Sequence, residues 1–174
     1  MEGKLSGRRV ALFAADLFED IELYYPLYRL GEEGAEVVVV GPSRRTYQGK
    51  HGLAIKAQAG LEDVRQEDFA ALVLPGGYAP DHLRRQERLL EMVRGADGAG
   101  KPIAAICHAG WIPVSAGIVK GRRMTGFWSI KDDLVNAGAA YEDRPVVEDG
   151  NLITSRYPND LGAFCRAIIA ALSG

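Results

Sequence analysis

The reading of the fold begins at "KPIAAICHAGWIPVSAG", Lys101–Gly117. Ile103 to Ile106 is a short apolar run of the kind that forms a strand buried on both faces. It stops at Cys107-His108, and Trp111 to Ala116 is suited to start a helix. A buried strand running straight into a helix is half of a βαβ unit, so the sheet around it should be mainly parallel. Alanines stand two residues before and two after the thiol, at Ala105 and Ala109. That is the steric demand of a sharp strand-to-helix elbow, which holds its central residue in a strained backbone conformation.

Working outward, short apolar runs alternate with longer helical patterns. Arg8 to Phe13 is expected to be the first strand. Asp20 to Glu33 follows as a helix, with Ile21, Tyr24, Tyr25, Tyr28 and Leu30 as its apolar face, Pro26 as a kink and Gly34 as its stop. Glu36 to Val40 is a second strand. Thr46 to Gly60 alternates around Gly49 and Gly52 and is expected to form a peripheral antiparallel excursion with a structural role. Ala70 to Leu74 is a further buried strand ending in Pro75-Gly76-Gly77. A helix is expected around Ser129 to Ala137, a hairpin around Asp149-Gly150 within Arg144 to Ser155, and a last helix over Asp160 to Leu172. The alternation predicts one α/β domain over residues 1–174, a three-layer α/β/α sandwich with a mainly parallel sheet. Ligands of such sheets bind beyond the carboxyl ends of the strands, which points to the turns after Leu74 and Ile106.

Composition narrows the function classes. The 174 residues carry 21 Lys plus Arg against 23 Asp plus Glu, a net charge of −2, so no basic field exists to hold nucleic acid or an anionic membrane. The N-terminal apolar stretch, Val10 to Ala15, is too short for a signal segment or a membrane span, and a cytoplasmic location is expected. Cys107 and Cys165 are then free thiols in a reducing compartment. Neither a metal nor a cofactor is expected, because the three histidines, His51, His82 and His108, and two cysteines lack metal-ligand spacing.

The chemistry concentrates at Cys107. The following helix should aim free N–H groups and partial positive charge at the thiol, which predicts a lowered pKa and a larger thiolate fraction. Gly77 permits the positive φ that a turn facing this site would need. Cys165, within "LGAFCRAIIAAL", is assigned to the core, and His82 to a solvated helix start.

Several stretches together carry a resemblance: "LFEDIEL" (17–23), "LPGGYAPDHLR" (74–84), "AAICHAG" (104–110), "SIKDDLVNAGA" (129–139) and "VEDGNLITSRYPNDL" (147–161). They resemble the PfpI family of the class I glutamine-amidotransferase-like superfamily, described variously as intracellular cysteine proteases, protein deglycases and glyoxalases. The resemblance implies a flavodoxin-like fold. It implies Cys107 as nucleophile, His108 as its adjacent histidine, and Glu19 as a protonated carboxyl that donates a hydrogen bond to the sulfur. By the same resemblance, the N–H groups of Gly77 and His108 form an oxyanion hole. Asp81 of a neighbouring chain orients the histidine, so a homo-oligomer, dimer or hexamer, is implied. Gly76, Phe127 and Trp128 are then expected to face the substrate.

This sequence departs from the family where Ala109-Gly110 replaces glycine-proline. It departs again where Phe127 and Trp128 replace the common tyrosine and proline, and Asp81 is shorter than the usual glutamate. The function implied is a cysteine-dependent hydrolase or lyase acting on reactive carbonyls, methylglyoxal or glycated protein. The alternatives are an intracellular cysteine protease and a redox-sensing stress chaperone. The glutaminase half of an amidotransferase is excluded, since no histidine follows His108.

Overall fold

A computed structural model describes residues 3–174. In chain order the elements are β1 (Arg9–Phe13), α1 (Asp20–Glu32), β2 (Glu36–Gly41), β3 (Thr46–Gln48), β4 (Ala54–Lys56), β5 (Ala59–Gly60), β6 (Ala71–Leu74), α2 (Ala79–Leu83) and α3 (Glu87–Gly98). They continue with β7 (Ile103–Ile106), α4 (Trp111–Ala116), β8 (Arg123–Met124), α5 (Lys131–Asn136), β9 (Ala140–Tyr141), β10 (Val146–Asp149), β11 (Leu152–Ser155) and α6 (Leu161–Ser173).

The main sheet has seven strands in the order β10-β11-β7-β6-β1-β2-β5. All its pairings are parallel except β10 with β11, the hairpin expected around Asp149-Gly150. Taken through β2-β1-β6-β7-β11, the order is that of a flavodoxin-like, doubly wound α/β fold. The order in which successive strands are laid down reverses between β1 and β6, which run parallel, and the crevice at that switch point lies beside the carboxyl ends of β1, β6 and β7. Strands β6 and β7 are buried along their whole length, as continuous apolar parallel strands must be. Among the described residues no helix is long and apolar enough to cross a membrane.

Helix α1 departs from its expected packing. Its buried residues are Asp20, Glu22, Leu23, Pro26 and Leu30. Ile21 and Tyr28, assigned to the apolar face, are 50% and 69% exposed. The aromatic residues are larger and caught the eye, but Leu23, Pro26 and Leu30, spaced three and four apart, form the stripe that meets the sheet. Glu22 precedes Pro26 by four residues and is carried into the interior with it. This rotation decides which carboxyl enters the site.

The excursion after β2 is an antiparallel hairpin, β3 with β4. It does not stand apart from the site. Its turn is tied to the start of α1 by the Lys50 N–H on the Phe18 carbonyl at 2.9 Å, and by the His51 and Leu53 N–H groups on the two Asp20 carboxylate oxygens at 2.9 and 2.8 Å.

Candidate active site

Cys107 ends β7 and has φ +63°, one of two non-glycine residues among those described with positive φ. Such a conformation costs on the order of 1 kcal/mol or more and persists only where packing imposes it. Here Ala105 and Ala109 are fully packed on either side, and a short 3₁₀ turn, Cys107–Gly110, passes directly into α4. The Phe127 N–H donates to the Cys107 carbonyl at 3.2 Å and fixes the elbow from the far side. The elbow predicted from small residues is therefore present.

The backbone N–H groups of Gly77 and His108 both point at the Cys107 sulfur. Gly77 has φ +84°, and a Cβ there would lie 2.4 Å from the Glu19 nitrogen and 2.5 Å from the Leu17 carbonyl oxygen, so only glycine fits. Gly76 serves differently from expectation. It donates its N–H to Glu22 Oε2 at 2.8 Å and backs onto the cysteine, rather than facing the open cavity.

The carboxyl that adjoins the thiol belongs to Glu22, not Glu19. Glu22 is fully buried, and its Oε1 meets no hydrogen-bonding nitrogen or oxygen. Burial first, and then the charge of Glu19, raise its pKa to about 8, against an opposing hydrogen bond from Gly76. At neutral pH Glu22 is protonated. With Oε2 taken by the Gly76 N–H, the outlet for its proton is the sulfur. Glu19, one turn earlier and outside the helix proper, is held by the Lys50 ammonium at 2.9 Å and His51 Nε2 at 3.0 Å. The assignment of Glu19 to the thiol is corrected by the rotation of α1.

Burial foremost, and next the Glu22 charge, push the Cys107 thiol up from its ordinary value, while the His108 and Gly77 N–H groups pull it down without offsetting the rise. The lowered pKa expected from a helix N-terminus is not found. Helix α4 begins only after the 3₁₀ turn, and burial of the sulfur beside Glu22 outweighs its dipole. Thiol and carboxyl titrate as a pair that holds its protons through neutral pH.

His108 lies with Nδ1 3.2 Å from Cys107 Sγ and Nε2 3.1 Å from Ser129 Oγ. Its ring stacks on Phe127 at 4.9 Å between centroids and meets the edge of Trp111 at 5.3 Å. Burial, with a smaller contribution from Lys50, lowers its pKa, so the imidazole is neutral at pH 7. Ser129 was missed in the sequence, where it stood only as the start of an expected helix.

A cavity of about 360 Å³ opens onto the sulfur, lined by Glu19, Lys50, Tyr78, His108, Phe127 and Pro158 around Glu22, Gly77 and Cys107. Phe127 lines this cavity. Trp128 is not part of this lining and is 72% exposed. Lys50 brings the hairpin's cation to the cavity, its Nζ 5.4 Å from the Tyr78 ring centroid, so the excursion is part of the site. Asp81 is exposed on α2, and among the described residues no hydrogen bond or ion pair joins its carboxyl to His108.

Glu19, Asp20 and His51 bring three potential metal-ligating atoms within 4.8 Å of one another. Each carboxylate here already holds the hairpin, Glu19 through the Lys50 ammonium and Asp20 through the His51 and Leu53 N–H groups, so the cluster clasps β3–β4 to the start of α1.

A thiol held at positive φ on the carboxyl edge of a doubly wound sheet, with two N–H groups aimed at it, defines a class of α/β proteins built around a nucleophile elbow. The chain belongs to the DJ-1/PfpI family, whose sequence model matches residues 8–171. It is 46% identical over 164 residues to a deglycase of Pyrococcus abyssi, covering 94% of this chain and 99% of that protein. It is 43% identical over the same length to the deglycase PfpI of Pyrococcus furiosus, with the same coverage. Among solved structures, a two-domain protein of Anabaena variabilis with DJ-1/ThiJ/PfpI-like and ferritin-like domains superposes with a TM-score of 0.93 at 40% identity. The match covers 95% of this chain and 48% of that one, so this chain spans about half of it. DJ-1beta of Drosophila melanogaster superposes with a TM-score of 0.91 at 29% identity, covering 96% and 91%.

Proposed function

We propose that the chain is a cysteine-dependent enzyme acting on reactive dicarbonyls, free methylglyoxal or its adducts on protein side chains. The observation that carries this reading is the convergence on one sulfur of two backbone N–H donors, a protonated carboxyl and a neutral imidazole, all facing a small cavity. In this reading the Cys107 proton passes to His108 Nδ1, and the sulfur forms a bond to the aldehyde carbon. The carbonyl π electrons move onto oxygen, where the Gly77 and His108 N–H groups receive the charge. Glu22 supplies a proton to that oxygen, giving a hemithioacetal, and the proton that His108 took from the thiol replaces the one Glu22 gave up. Moving the hydrogen from that carbon to the neighbouring ketone carbon, by way of an enediol, turns the hemithioacetal into a thioester. Water then cleaves the thioester to lactate and frees the thiol.

Aldehydes suit this site better than amides. An aldehyde adduct needs only its oxygen protonated, and Glu22 stands ready for that; an amide needs its nitrogen protonated as well, and Ser129 in place of a carboxylate on His108 makes the imidazolium a transient species. The names of the two Pyrococcus relatives favour the same choice. The test is to incubate the protein and Cys107→Ser with methylglyoxal, a glycated peptide and casein. Consumption of methylglyoxal or repair of the peptide by the native protein alone is the expected result; equal rates from both proteins on every substrate would sink the reading.

Self-association is also proposed. The face of α1 left uncovered carries Ile21, Tyr25 and Tyr28, and continues through Pro158 and Leu161 at the start of α6 as an apolar groove. Pro158 borders both this groove and the Cys107 cavity. An apolar patch of this kind on a free surface is suited to a second copy of the chain.

A further inference from the structure

His108 has two ring nitrogens, and both are engaged within its own chain: Nδ1 by Cys107 Sγ at 3.2 Å and Nε2 by Ser129 Oγ at 3.1 Å. Ser129 Oγ stands at the Nε2 position that an orienting acceptor would take. We propose that Ser129 is the positioning residue of His108, performing within one chain the orienting role that the sequence had given to Asp81 of a neighbour. This rests on the reading of Cys107 as nucleophile, but its test does not need turnover.

Three features hold Ser129 in place. It is the middle residue of a 3₁₀ turn, Trp128–Ile130, closed by the Ile130 N–H on the Phe127 carbonyl at 3.0 Å. That turn hangs from the elbow, because the Phe127 N–H is bonded to the Cys107 carbonyl. The Phe127 ring lies stacked on the imidazole, and Trp111 closes the other side, its own Nε1–H bonded to Asp133 at 2.8 Å. The ring can neither flip nor slide without breaking one of these contacts.

The proton inventory follows from the donors present. In the resting site the thiol keeps its hydrogen and needs an acceptor, which is the Nδ1 lone pair. The imidazole proton is then on Nε2 and donates to Ser129 Oγ. When the S–H bond breaks and Nδ1–H forms, the imidazolium has the thiolate on one side and the serine oxygen on the other, while Glu22 keeps its own proton. The charged and titratable groups around the ring are Cys107, with Glu22 behind it, and Lys50, Glu19 and Tyr78 across the cavity, Glu19 being paired with Lys50; Arg84 lies over the Trp111 ring, 5.2 Å from its centroid. No carboxylate among the described residues touches the imidazole, so the serine oxygen is its one fixed acceptor there. A hydroxyl orients the ring without holding it charged, which a carboxylate would do. A site that must begin with neutral histidine beside an un-ionised thiol is served by the hydroxyl.

The experiment compares Ser129→Ala, Ser129→Thr and Asp81→Asn. Ser129 is exposed, so its replacement does not threaten the core. Two readouts are taken: the tautomer of His108 from its ring nitrogen NMR shifts, and the pH profile of Cys107 alkylation by iodoacetamide. With only three histidines in the chain, assignment is direct. Ser129→Ala should move His108 from the Nε2–H tautomer to a mixture and slow alkylation at neutral pH about tenfold, the scale of one hydrogen bond to a charged group. Ser129→Thr should restore both. A Ser129→Ala protein with the native tautomer and the native profile would overturn the proposal. So would the same loss arising from Asp81→Asn in place of Ser129→Ala. If methylglyoxal proves not to be a substrate, both readouts still decide the matter.

Discussion

Glu22 reaches from the first turn of α1 to the N–H of Gly76, 2.8 Å away, and in doing so lays its carboxyl against Cys107. That relationship joins three strand ends of the sheet in one hydrogen-bonded unit. Glu22→Gln keeps the shape and a hydrogen-bonding carbonyl but can no longer lend a carboxyl proton to the sulfur or to a developing alkoxide. Iodoacetamide alkylation of Cys107 and methylglyoxal turnover should each fall by at least about tenfold, whereas Glu19→Gln should cost less than that. Equal losses from the two variants would restore Glu19 to the thiol.

The same carboxyl sets a pH dependence of stability. Its folded pKa is raised to about 8 from an ordinary 4.5, so the folded chain binds a proton that the unfolded chain has already released. The contribution is complete below pH 4.5 and is lost as pH rises through 8, with a slope of up to about 1.4 kcal/mol per pH unit in between. Urea denaturation from pH 5 to 8 should show native stability declining relative to Glu22→Gln; parallel curves would show that burial does not perturb the group.

Gly77→Ala tests the backbone of the proposed oxyanion hole. A methyl group would meet the Glu19 nitrogen and Leu17 carbonyl at 2.4 and 2.5 Å, both backbone atoms, on top of the strain of φ +84°. The expected cost is about 3 kcal/mol or more in unfolding free energy, read from the urea midpoint at constant slope. A change below about 1 kcal/mol would mean the turn relaxes freely.

The two thiols should differ in kind. Burial pushes both thiols up, Cys107 no less than Cys165, so access is what separates them: Cys165 is 1% exposed on the inner face of α6, whereas Cys107 borders a cavity. A native chain at pH 8 should therefore take up one equivalent of a small alkylating agent, at Cys107, and the second only on unfolding. Mass spectrometry of the labelled peptides distinguishes them.

Self-association through α1 predicts that Tyr28→Glu, at the most exposed aromatic of that helix, lowers the mass measured by light scattering. Monomer from both native and variant proteins would remove the interface.

The sheet was legible because apolar runs such as Ile103–Ile106 have no reason to be continuous unless both faces are covered, and the elbow because only small residues tolerate its curvature. Cys107, His108 and Gly77 follow from that local logic, each within a few residues of a strand end, whereas Phe127 came from the family resemblance alone. Glu22 did not, although the spacing of Leu23, Pro26 and Leu30 contained the signal. A helix of mixed apolar residues offers two plausible faces, and only contact with the sheet selects one. Lys50 and Ser129 lay further out of reach, since a hairpin and a 3₁₀ turn distant in sequence meet the elbow by folding alone. Sequence on its own located the strand-to-helix turn at Cys107, because the small residues such a turn requires stand within two positions of the thiol. Tertiary structure decided which carboxyl, cation and hydroxyl surround it, because burial and hydrogen bonding are made by whichever side chains the packed elements turn toward one another.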